Sequence, residues 1–532
     1  MRKQFFKSAF AVSLISSSIL PLTISSAWGT DTASKQQRES VIIATANKSR
    51  IAQLIEKLEK RTINSASEAA QDASKELVRI GQPAVPQLIE ALEQNRSLLT
   101  FGITETLSEI AKKDASIVPI LVDKLGDKNP QVRLAAMFAL MESQSKNVLI
   151  KAAQNSENTL VRSSAMIALK KDSESLSSLS PILKSALNDE NPTIRRSAAI
   201  SSANYSVSLT EVMGILKNGL KDDDSLIRLL SAWTLLDESW TLPENQRETT
   251  SATTALIEAS KDESSIVRWF AIYTLLRFSK ENPQAVPEII EAINDKDIGV
   301  RYTAIKGILD SEKKYKAAVP ELIQAVDDDN EDVQDIAIRA LGNIGSEAKA
   351  AKPKLLAILR NKQESDQIRG SAARALSRMK KYGQSAIPIL VNILEDKQSS
   401  EELAEDAVRA LGDMEKYALE AIPVLIKIWE DKHNDSYLAY TAASALEKID
   451  SQAFIPYLVK RLTNEDFSYN SMHFLNRIAS EMKKNKNSYS QAELAKAISE
   501  FETALEIIDN SERYFSQEKI KTLQESLAEL KK

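Results

Sequence analysis

Apolar positions recur along this chain with two helical registers broken by acidic turns. The stretch from Ala285 to Ile308, AVPEIIEAINDKDIGVRYTAIKGI, shows the unit. Ile289, Ile290 and Ile293 fall at helical spacing, and Pro287 sits in the first turn, where its missing N–H costs nothing. The turn Asn294-Asp295-Lys296-Asp297 follows, with Asp297 placed to cap a second helix. Val300, Ala304, Gly307 and Ile308 share one side of that helix. Neither helix can bury its apolar face alone, so the unit predicts copies of itself as neighbours.

The copies are present. The proline of the first helix recurs at Pro86, Pro119, Pro181, Pro287, Pro320, Pro353, Pro388, Pro423 and Pro456. A Val-Arg or Ile-Arg pair in the second helix recurs at Arg133, Arg162, Arg195, Arg228, Arg268, Arg301 and Arg369. The commonest step is 33 residues, as from Pro287 to Pro320. A fixed period in that range predicts a solenoid in which each repeat touches its neighbours. On these residues the chain resembles the HEAT family, and in particular the short bacterial HEAT-like repeats of the phycobilin-lyase type, from about Gln82 to Lys484. The Trp-Leu-Gly-Tyr pattern of tetratricopeptide repeats and the Thr-Pro-Leu-His of ankyrin repeats are missing. The resemblance implies an all-α, right-handed α-solenoid of about a dozen helical hairpins, with helical caps at both ends.

Outside the repeats, Thr30 to Lys48 reads as a flexible lead-in. Ser49 to Leu58 and Ser65 to Ile80 read as an N-terminal helical cap within residues 49–81, with Ser67 and Glu68 opening the second helix. An insertion from Asp237 to Thr253 lengthens one connection, and the pattern fades around Asp466 to Met482. Residues 490–532 read as a hairpin of Ala492 to Ile508 and Gln517 to Leu530, either a cap on the last repeat or a docking element for a partner helix.

The first 29 residues stand apart. Arg2, Lys3 and Lys7 precede an apolar, serine-rich core from Ala9 to Ile24, and small residues offer cleavage after Ala27 or Gly29. This order predicts a secretory signal peptide and an extracytoplasmic protein, periplasmic or secreted, with no stable membrane span after cleavage. Removal of three positive charges would take the net charge from −5 to −8. Lys and Glu are mixed along the chain with no basic stripe, so nucleic acid is not an expected partner.

Candidate chemistry is sparse. There is no cysteine, which excludes disulfides, thiolate metal sites and a cysteine nucleophile. The two histidines, His433 and His473, are forty residues apart and neither precedes a Glu. They cannot build the repeated His-Glu iron site of the HEAT-like deoxyhypusine hydroxylases. The acidic run from Asp327 to Asp332 lacks the Gly and Glu of an EF-hand, with Val333 and Arg339 in those places. Gly214 and Gly219 have the Walker A gap, but Leu220-Lys221-Asp222 follows. No metal, no cofactor and no catalytic residue is therefore expected.

Two patterns remain. An aspartate stands six residues before the repeat arginine in Asp127–Arg133, Asp189–Arg195, Asp222–Arg228, Asp262–Arg268 and Asp295–Arg301. Equal copies argue against a singular catalytic place. The HEAT resemblance implies a structural ladder, each Asp bonding donors at the next helix start and neighbouring arginines. The second pattern is angular. With the repeat Val or Ile as position zero, positions +2 and +6 lie at about 200° and 240° on the helical wheel, opposite the core. In a HEAT solenoid that side lines the concave surface. It reads Leu134 and Phe138, Ser163 and Ile167, Arg196 and Ile200, Leu229 and Trp233, Trp269 and Tyr273, Tyr302 and Lys306. It then turns charged or small, with Asp335 and Arg339, Gly370 and Arg374. Leu134, Phe138, Leu229, Trp233, Trp269, Tyr273 and Tyr302 thus form a candidate aromatic binding strip, unless a tight superhelix or the lead-in segment covers them. The expected function is a non-catalytic scaffold or adaptor holding a protein or peptide in its groove. The alternatives are a lyase or chaperone related to the phycobilin lyases, and a carrier of a small hydrophobic ligand. Partner identity and oligomeric state are open at this level.

Overall fold

The computed structural model describes residues 47–59, 67–143, 145–169, 176–202, 209–239, 249–278, 283–311, 315–431, 437–463, 468–511 and 515–532. Residues 1–29, read from the sequence as a signal peptide, and nearly all of the expected lead-in fall outside these residues, as do Trp240, Pro243 and His433. The chain divides into two compact units between Ala304 and Ile305. The described residues are helical, and the fold is an α-solenoid built of hairpins.

In the first unit, α1 (residues 47–58) and α2 (Glu68–Ile80) precede the hairpins. These are α3 (Val85–Leu92) with α4 (Ser97–Lys113), α5 (Val118–Lys124) with α6 (Pro130–Glu142), and α7 (Lys146–Asn155) with α8 (Thr159–Ala168). Next come α9 (Leu176–Leu187) with α10 (Pro192–Ser202), α11 (Leu209–Gly219) with α12 (Ser225–Ser239), and α13 (Thr249–Ala259) with α14 (Ser265–Phe278). The last pair is α15 (Val286–Glu291) with α16 (Ile298–Asp310), which crosses the boundary. The second unit continues with α17 (Val319–Ala325) and α18 (Glu331–Ile344), α19 (Lys352–Arg360) and α20 (Asp366–Arg378), α21 (Ile387–Glu395) and α22 (Glu401–Asp413). It closes with α23 (Ile422–Glu430), α24 (Tyr437–Arg461), α25 (Ser468–Lys484), α26 (Gln491–Asp509) and α27 (Gln517–Lys531).

The repeat prolines do what the sequence asks of them in α3, α5, α15, α17, α19, α21 and α23, where each sits in the first turn. Pro181 and Pro456 differ, because both lie inside helices. In α24 the reason is a merger: the second helix of one hairpin runs into the first helix of the next through a single break at Asp450, φ −157° and ψ 92°. The second helices are capped as their sequences suggest, with Asn129, Asn158, Asn330, Ser365 and Ser400 accepting from backbone N–H groups at the helix starts.

The core lies between the two helices of each hairpin and between successive hairpins. Val300, Ala304 and Ile308 are buried, as are Ile289 and Ile293. In the second unit α18, α20, α22 and α24 stack in order. Their approach is close because Gly342 faces Ala375 and Gly412 faces Ala445; a Cβ on Gly342 would stand 2.8 Å from the Ala375 Cα. At the C-terminal end α26 packs on α24 and α27 on α25, burying Phe501, Ala504, Leu523 and Leu530. Ser490 opens this hairpin with a reciprocal capping box to Glu493.

Candidate functional site

The inner face of the first unit is not an open groove. The second helices α4, α6, α8, α10, α12 and α14 stack in sequence, and α14 then returns to touch α4 and α6. This ring brings residues far apart in the chain into direct bonds. Ser97 donates its backbone N–H to the Asp297 carboxylate at 3.0 Å and its hydroxyl to the same group, and Asp297 also caps Val300 N at 3.1 Å. The Asn95 side chain donates to the Glu263 carbonyl at 2.8 Å and accepts from Ser265 N at 2.7 Å. Gln131 bridges Asn95 and Ser265, at 2.7 and 2.9 Å. Arg133, 4% exposed, makes a two-pronged bond to Asp224 at 2.7 and 2.6 Å.

Positions +2 and +6 fill the middle of the ring. Leu134, Leu229 and Trp269 are buried, along with Ser163, Ile167 and Ile200. Phe138, Trp233, Tyr273 and Tyr302 are half-buried. Trp269 meets Phe101 of α4 edge-on at 4.5 Å and stacks on Tyr273 at 5.5 Å, while Trp233 meets Phe270 at 5.8 Å. The expectation of an exposed aromatic strip is corrected for Leu134, Leu229 and Trp269, which are interior. The physical reason is that apolar side chains on the concave side find each other when the superhelix curls far enough to close.

The Asp–Arg pairs take a form that the spacing alone did not specify. Within a repeat the arginine binds the backbone carbonyl of its aspartate rather than the carboxylate. Arg133 reaches the Asp127 carbonyl at 2.8 Å, Arg195 that of Asp189 at 2.7 Å, and Arg228 that of Asp222 at 2.6 Å. Arg268 and Arg301 do the same to Asp262 and Asp295, at 2.9 and 2.8 Å. Each aspartate carboxylate accepts instead from the backbone N–H two residues on, at 2.8 to 2.9 Å. Four of them also meet an arginine of the preceding repeat: Asp189 with Arg162, Asp222 with Arg196, Asp262 with Arg228, and Asp295 with Arg268. The hydrogen bonds from Asn191 N and Arg162 outweigh burial at Asp189 and hold its carboxyl below the usual range, although burial alone would raise it.

In the second unit the same helix face carries charge and stays open. Arg339, Arg374 and Arg409 occupy +6 of successive second helices and stand above buried carboxylates. Arg339 bonds Asp335 at 3.4 Å; Arg374 bonds Asp406 and, at 2.9 Å, the Ser371 hydroxyl. Arg409 bonds Glu405 at 2.8 Å and Asp406 at 3.2 Å, with its guanidinium 5.5 Å from the Tyr437 ring. Gly370 is needed beneath them, because a Cβ there would stand 2.1 Å from an Asp406 carboxylate oxygen. Further along, Arg477 pairs with the buried Glu447.

Two depressions lie on this face. One, of about 280 Å³, is lined by Leu309, Asp310, Arg339, Gly342, Asn343, Ser371, Arg374, Ala375 and Arg378. The other, of about 390 Å³, is lined by Arg378, Lys380, Asp413, Glu415 and Lys448. Arg378 belongs to both, is exposed, and has no ion pair among the described residues. Lys380 pairs with Glu415 and Lys448 with Asp413, each at 2.8 Å, and Lys306 pairs with Asp310. With these partners counted, seven cations (Arg339, Arg374, Arg378, Arg409, Lys306, Lys380, Lys448) stand against six carboxylates (Asp310, Asp335, Asp406, Asp413, Glu405, Glu415). The angular reading placed Arg339 and Arg374 on this face but missed Arg378, one turn beyond +6. The signal that could have found it is the +10 position, which lies at about 280° and borders the same side.

No group of His, Cys, Asp and Glu among the described residues is arranged to hold a metal ion, and no described helix is long and apolar enough to cross a membrane. His473 lies half-buried beside Phe474, with ring centroids 5.6 Å apart.

Three overlapping stretches, residues 287–377, 319–405 and 387–471, match the model of HEAT repeats. Residues 287–471 are thus similar to HEAT repeats, and the charged face lies inside this matched stretch. These matches do not distinguish the phycobilin-lyase type from other HEAT repeats. No curated protein matches the sequence. Among solved structures the chain is similar to an engineered protein, with 20% identity over 65% of this chain and 95% of that one, TM-score 0.40. It is also similar to importin beta, with 15% identity over 84% and 67% and a TM-score of 0.44. A third is Kap95p in its complex with RanGDP, with 15% identity over 94% and 79% and a TM-score of 0.38. At such scores these likenesses say nothing of function.

Proposed function

We propose that this chain is a non-catalytic scaffold that holds an extended protein segment on the charged concave face of its second unit. The observation that carries this reading is the row Arg339, Arg374 and Arg409. Their guanidinium groups are presented to solvent from one helix face while the carboxylates that anchor them are buried. Side chains held in place before binding lose little entropy on capture, which favours recognition over mere solubility. The first unit supports the same reading by exclusion, since Leu134, Leu229 and Trp269 of its strip are spent on closing its own ring. The rings of Phe101 and Phe270 beside Trp269 and Trp233 count against the hydrophobic-carrier alternative. The leader of residues 1–29 supports an extracytoplasmic setting for this scaffold.

Hydrogen–deuterium exchange of the full chain, with and without a pool of extended peptides, tests the location. Binding should slow exchange in α18, α20 and α22. Slowing confined to α6, α12, α14 and α16 would return the site to the half-buried Phe138, Trp233, Tyr273 and Tyr302, and no slowing anywhere would remove the scaffold reading.

A further inference from the structure

The scaffold reading leaves the chemistry of the partner open, and the first depression narrows it. Gly342 and Ala375, in the close contact of α18 with α20, line the depression between the charged side chains. Its rim is formed by Arg339, Arg374 and Arg378. Arg339 and Arg374 are tied to the buried Asp335 and Asp406, with side-chain exposures of 52% and 38%, so they can donate outward without being free to wander. Arg378 has no such tie, and it is the cation in excess when the face is counted.

Resting on that reading, we propose that the Arg339–Arg374–Arg378 depression binds the carboxylate side chain of an Asp or Glu in an extended partner segment. A guanidinium fork matches a carboxylate with two parallel bonds, and an Arg–carboxylate pair is stronger than a neutral hydrogen bond. The charge also selects between anions. A carboxylate brings one negative charge and neutralises the single excess. A phosphorylated residue brings about −1.5 to −2 and would face Asp310 across the same depression. Leu309 supplies an apolar wall against which the methylenes of a Glu can lie. The second depression, which shares Arg378, carries the chain of the segment onward past Lys380 and Lys448.

A random dodecapeptide display library, panned against the full chain and against Arg378→Glu, tests this. The unaltered chain should enrich peptides containing Asp or Glu, and Arg378→Glu should lose that preference or turn it toward Lys and Arg. One selected peptide is then made with its acidic residue as Gln and as phosphoserine, and affinities are measured by fluorescence anisotropy. The Gln copy should bind roughly tenfold more weakly, the scale of one charge-assisted hydrogen bond. Arg378→Glu should melt within a degree or two of the unaltered protein, since Arg378 is exposed and carries no ion pair. A phosphoserine copy that binds more tightly than the acid would overturn the carboxylate assignment. Selected peptides that protect the same face with no charge preference would overturn it too, while leaving the scaffold intact. If the library yields no binder at all, the scaffold reading fails with it.

Discussion

Burial decides what the singular residues of this chain do. Trp269 is 8% exposed and wedged between Phe101 and Tyr273. Trp269→Ala should therefore cost about 3–5 kcal/mol of folding free energy, read by denaturant melts. A change near half a kcal/mol, as exposed substitutions give, would show the ring to be open in solution. Two arginines make the complementary contrast. Arg133 is buried against Asp224 across 91 residues of chain, and its truncation to Ala leaves a carboxylate without its partner, at about 3 kcal/mol or more. Arg378 carries no such partner, and its loss should leave the melt unchanged while altering what binds.

At the level of single elements the turn ladder sets the response to acid. Asp189 is held ionised by Asn191 N and Arg162, so its folded pKa lies below its unfolded value. Stability from this group is fully present above the unfolded carboxylate pKa, near 4, and is lost as pH falls through the lower folded value. Melting temperature followed from neutral pH downward should thus fall below about pH 4, and Asp189→Asn should flatten that fall while lowering the plateau. An unchanged pH slope would remove Asp189 from the ladder's stabilising set. The second helices offer a sharper case. Gly370→Ala places a Cβ where the Asp406 carboxylate sits, so it should displace Asp406 from Arg374 and destabilise by roughly 1–3 kcal/mol. Elsewhere on an exposed helix face the same change would stabilise slightly.

At the scale of the molecule the first unit departs from the nearest-neighbour behaviour expected of solenoids. Contacts such as Ser97–Asp297 join its first and last hairpins, so local openings there should merge into one cooperative event. Asp297→Ala removes both the cap on α16 and the tie to Ser97, and native-state hydrogen exchange should show protection falling in α4 and α14 together. Loss confined to the start of α16 would mean that the ring closes without this tie. The leader carries one further expectation: N-terminal sequencing of the native protein should find a mature start near Trp28 or Thr30, and an intact Met1 would count against export.

The repeat, its helices and its turns were determined by the sequence alone, because they depend on interactions within a few tens of residues. Proline at a first turn, Asn or Ser at a cap, and apolar residues at helical spacing each act locally, and every copy repeats the vote. The same angular arithmetic named the residues expected to face inward. What it could not decide was whether the inward face is groove or core, since that depends on how far small rotations between repeats accumulate before Trp269 meets Phe101. Nor could spacing show that Arg133 serves Asp224. Those partners are brought together by curvature summed over many hairpins. Local sequence sets each rotation too weakly to read, and only the packed chain adds them up.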